Sequence, residues 1–100
     1  MKLKPGVSLV KAKPELLAGI DKLDRLWQDH ALELVITAGD DGKHMVGSKH
    51  YDGDAFDLRT WIYSDSEVSV FVRELQRALG VDYDVIKEVD HIHVEYDQGS

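Results

Sequence analysis

Apolar and polar positions alternate along this chain with two different periods, and the switches between them predict its elements. From Pro14 onward, Leu16, Leu17, Ile20, Leu23, Leu26, Trp27 and Ala31 recur every three or four residues. That single stripe predicts an amphipathic helix through about residue 31. Pro14 opens it at a position where the missing N–H costs nothing. Lys22, Asp24, Arg25 and Asp29 fall largely outside the stripe and are expected to face water. Ahead of the helix, residues 1–13 are expected to be extended, with Val7, Leu9 and Val10 packing loosely. Leu32 to Thr37 is a short β-prone run, read as a central strand that ends at the turn Gly39-Asp-Asp-Gly42.

Residues 38–54 are polar and glycine-containing, a long loop of the kind that usually carries function. From Ala55 to Trp61, Phe56 and Leu58 alternate with Asp57 and Arg59, so period two turns Asp57 away from the face that buries Phe56. Ser64 and Glu67 form a capping-box pattern. The helix behind it buries Val68, Phe71, Val72, Leu75 and Leu79 and stops at Gly80. Val81, Tyr83 and Val85 then alternate as a strand. A polar turn near Lys87 and Glu88 leads to a last strand built on Ile92, Val94 and Tyr96. The order is extended, α, β, loop, β, α, β, β. It predicts one α+β domain over 1–100, with two helices packed on one face of a small, mostly antiparallel sheet.

Composition narrows the functional classes. Hydrophobic residues make up 43% and charged residues 31%, ordinary for a globular domain. The net charge of −7 speaks against nucleic acid, whose phosphates need clustered Lys and Arg. No apolar run approaches the roughly 20 residues of a membrane span, and the start lacks a signal-peptide core. With no cysteine in the chain, a metal site has to be built from His, Asp and Glu.

Two segments offer such a site. Ser48-Lys-His-Tyr-Asp-Gly-Asp-Ala-Phe-Asp57 supplies an imidazole at His50 and a carboxylate at Asp57, with Gly53 between them. Asp90-His-Ile-His93 supplies a second imidazole. Period two places His91, His93 and Glu95 opposite Ile92, Val94 and Tyr96, on the polar side to which Asp57 also points. His50, Asp57 and His93 are then a His₂Asp set with one position open, as catalytic zinc commonly uses. The bland alternative is that each is a solvated surface residue, and residue type alone does not choose between the two. Glu95 is either a carboxylate behind a metal-binding histidine or an exposed strand residue. Tyr51, Trp61 and Tyr63 are groove or core, and Ser48 is a turn cap. His30 and His44 are read as solvated, and Asp40, Asp41, Asp52 and Asp54 as a solubilising surface.

Together, Ser48-x-His50-x-x-Gly53-x-Ala55-x-Asp57 and Asp90-x-x-His93-Val-Glu95 resemble the motifs of the M15 zinc peptidases. That family includes D-alanyl-D-alanine carboxypeptidases and phage L-alanyl-D-glutamate endopeptidases. Ile36-Thr-Ala-Gly39 is similar to the strand and turn preceding the first motif, so the likeness spans roughly residues 14–97. The resemblance implies an M15/hedgehog-like fold with zinc on the open face of the sheet, held by His50, Asp57 and His93. It implies Asp90 as catalytic acid/base and hydrolysis of a peptidoglycan stem-peptide amide by metal-activated water. His91, on the face of His93, is the second choice for proton transfer.

Many family members carry an arginine in the register where this chain has Asp41, which shifts expectation from free-carboxylate recognition toward endopeptidase cleavage. Arg59 or Lys49 could restore the charge from elsewhere. Asp90 would have to sit on the turn before its strand, since within an ideal strand it would face away from His93. The expected setting is a monomer made in the cytoplasm and acting at the cell wall, by phage-type delivery. The rival expectations are a catalytically silent, metal-stabilised wall-binding module and a structural phage protein.

Overall fold

A computed structural model describes residues 1–29, 34–39, 54–60 and 63–97. Its elements are β1 (Lys2–Leu3), α1 (Pro14–Asp29), β2 (Val35–Ala38), β3 (Ala55–Arg59), α2 (Asp65–Leu79), β4 (Tyr83–Lys87) and β5 (His91–Tyr96). The strands form one mixed sheet in the order β1-β2-β3-β5-β4. Only the β1–β2 pairing is parallel; the other three are antiparallel.

The helix boundaries follow local chemistry. Ser64 caps α2 by accepting from the Glu67 backbone N–H at 3.2 Å, and the Glu67 carboxylate accepts from the Ser64 N–H at 3.0 Å. The reciprocal pair satisfies two donors that a helix start otherwise leaves bare. At the other end Gly80 takes a φ of 91°, a region that L side chains avoid. Beyond it, the Gln76 side chain ties α2 to β4. Its amide donates to the Gly80 and Tyr83 carbonyls, and its oxygen accepts from the Val85 N–H.

Both helices bury their apolar stripes in one core. Leu16, Ile20, Leu23 and Trp27 of α1 and Val68, Leu75 and Leu79 of α2 join Ile36, Phe56, Leu58, Ile92 and Val94 of the sheet. Phe56, Ile36 and Val94 are fully buried. Since the buried strand residues alternate with Asp57, Arg59, His91, His93 and Glu95, these polar side chains share the face that neither helix covers.

Several expectations change. The first residues are not merely loose. Lys2 and Lys4 donate backbone N–H groups to the carbonyls of Leu34 and Ile36 at 2.8 and 2.9 Å, adding a fifth strand. The run read as a central strand lies one from the edge, and β3 is the middle of the sheet. Leu17 is exposed at the margin of the helical stripe, and Val10 and Val81 lie in water because turns, not strands, hold them. Asp54 is not part of a solvated acidic surface. It is buried, and its Oδ2 accepts from Lys13 Nζ at 2.8 Å. Tyr63 packs edge-on against Phe71, ring centroids 4.9 Å apart, on the core side. Trp61, His30 and the whole segment 40–53 lie outside the described residues.

Candidate metal centre

Strand register assembles the site. Along the β3–β5 ladder Asp57 stands directly opposite His93, Arg59 opposite His91 and Ala55 opposite Glu95. Directly opposed residues have their Cβ atoms about 5 Å apart, close enough for short side chains to meet. Asp57 Oδ1 lies 3.0 Å from His93 Nδ1. The other ring nitrogen, Nε2, lies 2.9 Å from Glu95 Oε1. All three side chains are largely buried, at 13%, 15% and 18% exposure. Asp57 is shared, its Oδ2 standing 3.7 Å from His91 Nε2, which is an ionic approach too long for a hydrogen bond. His91 Nδ1 in turn is 2.6 Å from Asp90 Oδ1. A polar row thus runs Asp90, His91, Asp57, His93, Glu95 across two strands.

Charge follows this wiring. The hydrogen bond from Asp57 raises the His93 imidazole above its ordinary value; burial works against this, and the Glu95 bond works with it. Both ring nitrogens of His93 therefore have a carboxylate partner. Asp90 sits on the turn that precedes β5, the position its proposed role required. Its carboxyl is held below the usual range, first by the His91 hydrogen bond and then by the charge of that ring.

An Asp oxygen and a His nitrogen are donor types that zinc takes, and among the described residues these two meet at hydrogen-bond distance. Glu95 stands at Nε2, where an outer carboxylate would steady the ring of a metal-binding histidine. Two of the three expected ligands, Asp57 and His93, are therefore brought together. The third, His50, lies outside the described residues, as do His44, Ser48, Lys49 and Asp41. A separate trio, Asp84, Glu95 and Asp97, gathers carboxylate oxygens within 4.8 Å of one another. Such partly exposed acidic groups are common without an ion, and we assign none to it.

Beside the row lies a groove of about 690 Å³. Val35 and Thr37 of β2 line it, with Asp57, Asp90 and His91 on one side and Lys2 and Lys4 on the other; Arg59 also borders it. Nothing in the sequence pattern singles out the two lysines, because β1 is only two residues long. Glu95, expected as either an outer carboxylate or an exposed strand residue, is largely buried and contacts His93.

No protein-family model, curated protein or solved structure matches this chain. No helix among the described residues is long and apolar enough to cross a membrane.

Proposed function

We propose that this chain is a zinc-dependent peptidase of the M15 kind, hydrolysing an amide bond in peptidoglycan stem peptides. The observation that carries the reading is the register-locked Asp57–His93 pair, backed by Glu95 and bordering an open groove. Asp57 and His93, with His50 as the third donor, would hold the metal. Bound there, a zinc would supply Lewis acidity and would lower the pKa of water to about 7.

The remaining residues divide the proton work. Asp90 is 83% exposed and its bonded partner is His91 Nδ1, which favours its acting through that ring. Bonded to His91 Nδ1, it can instead orient that ring so that Nε2 faces Asp57 and the groove. His91 then accepts the proton from the attacking water and returns it to the leaving amine, while Asp90 positions it. The carboxyl–imidazole relation follows the logic of a base steadied by a third group.

The rival is a silent module that binds wall peptides through the same metal. Incubation of zinc-supplemented protein with purified muropeptides, followed by mass spectrometry, separates the two. The peptidase reading expects one new peptide terminus, its formation abolished by chelator and cut about 10²–10⁴-fold in His91→Gln, the range of general acid–base catalysis. Asp90→Asn should keep its zinc and lose most turnover. Intact muropeptides with zinc-loaded, folded protein would favour the silent module. Full activity in Asp90→Asn would remove Asp90 from the mechanism.

A further inference from the structure

We infer that a small acidic pocket between the start of α2 and the β4–β5 turn binds a primary ammonium carried on an aliphatic stem, the side chain of a lysine in a peptide ligand. The pocket encloses about 180 Å³. That is below the roughly 300–1,000 Å³ of drug-sized sites and suits a single side chain. Only Asp90 is shared with the lining of the groove beside the metal centre, and the inference does not depend on the peptidase reading. Its deep residues are Val68, a core position of α2, and Thr60, which follows β3.

Thr60 points to a ligand. It is 6% exposed, yet its hydroxyl has no hydrogen-bond partner among the described residues. A buried hydroxyl left without a partner is destabilising, and a donor entering the pocket would relieve it. The Thr60 carbonyl is already occupied, accepting from the Tyr63 N–H at 2.8 Å, which fixes the residue against the pocket. Charge selects the donor. Asp65, Glu88 and Asp90 border the pocket against one cation, Lys87, whose ammonium turns to Ser69 Oγ at 3.4 Å. Neither Asp65 nor Glu88 has an ion pair among the described residues. The N-terminus of α2 does not reverse this balance, since Ser64 and Glu67 already satisfy two of its N–H groups and Asp65 adds a charge. An excess of carboxylate favours a cation, and an ammonium brings three donors and no acceptor. The acids are exposed while Thr60 and Val68 are buried, so the cation needs a stem to reach the hydroxyl, with Val68 and Tyr63 as apolar wall for its methylenes.

The test is an amide ¹H–¹⁵N titration of the full chain at neutral pH and low salt with three probes. N-acetyl-L-lysine methylamide carries the stem and the charge. Its norleucine analogue keeps the stem alone, and L-alanine methylamide has a free α-amine without a stem. Shifts at Thr60, Val68 and Val89 should saturate with the lysine probe only. T60V keeps the shape of the side chain but not its oxygen and should weaken that binding about tenfold, as for a bond to a charged group. D65N/E88Q, at two exposed positions, should weaken it about fivefold, and carries the test should T60V lose its fold by circular dichroism. An equal response to the norleucine or alanine probe, no saturable response to the lysine probe, or wild-type affinity in both variants would overturn the inference.

Discussion

Glu95 gives the sharpest handle on the metal centre, because it touches the ring of His93 and is not itself a proposed ligand. Its Oε1 sits 2.9 Å from His93 Nε2, and both side chains are more than four-fifths buried. With a metal at Nδ1, the Nε2–H donates to this carboxylate, which fixes the tautomer and makes the ring a better donor. Loss of such an outer carboxylate typically weakens metal binding 10–100-fold, about 1.4–2.7 kcal/mol. Glu95→Gln keeps an acceptor oxygen but not the charge. Since charge-assisted bonds are roughly twice as strong as neutral ones, it should fall near the tenfold end. Glu95→Ala removes the partner entirely and should approach a hundredfold. Competition against a chromophoric zinc chelator at pH 7.5 measures both, with exposed Glu15→Gln as the charge control. Wild-type affinity in both Glu95 variants, or an equal loss in Glu15→Gln, would refute the reasoning.

Three further outcomes follow from the geometry. In zinc-free protein the raised His93 pKa makes its ion contacts stabilising below about pH 6.5, the unfolded value, and the contribution fades as pH climbs through the higher folded value. The Tm advantage of wild type over His93→Gln should therefore shrink between pH 6.5 and 8.5 in chelator; a flat difference would contradict the assignment. Gly39→Ala would place a Cβ 2.1 Å from the Ser8 carbonyl oxygen and 2.7 Å from Leu9 Cδ2. Backbone cannot swing aside, so urea unfolding should show a loss of about 1–3 kcal/mol, and an unchanged midpoint would count against the close approach. Lys13→Met leaves the Asp54 carboxylate buried without its cation. The loss should be about 1–3 kcal/mol, less than the 3–5 kcal/mol of a fully buried pair because Lys13 is half exposed. Lys13→Met/Asp54→Asn should recover most of it, and no recovery would show that the charge is not the cause.

Local rules were legible in this sequence where a residue's own neighbours decide its state. Ser64, Glu67 and Gly80 bound α2 as their chemistry dictates, and period two placed Asp57, His91, His93 and Glu95 on one face. What period two could not state is which strands are neighbours. Asp57 meets His93 because β5 inserts between β3 and β4, a pairing of strands far apart in sequence. β1 escaped notice because two residues are too short for a periodic pattern, and its partner lies more than thirty positions away. Asp54 was misread for a related reason: its counter-ion, Lys13, is distant in sequence and reaches it only in the fold. The same long-range pairing hid the groove, since Lys2 and Lys4 border it with Arg59 and Asp57 only because β1 joins β2.

A peptidase of this kind requires that the polar row hold a metal. Elemental analysis of chelator-free protein, with Asp57→Ala and His93→Ala beside it, tests that most directly. The expected result is close to one zinc per chain in the wild type and little in either variant, with all three proteins folded. Folded wild-type protein that takes up no zinc from a micromolar excess would contradict it.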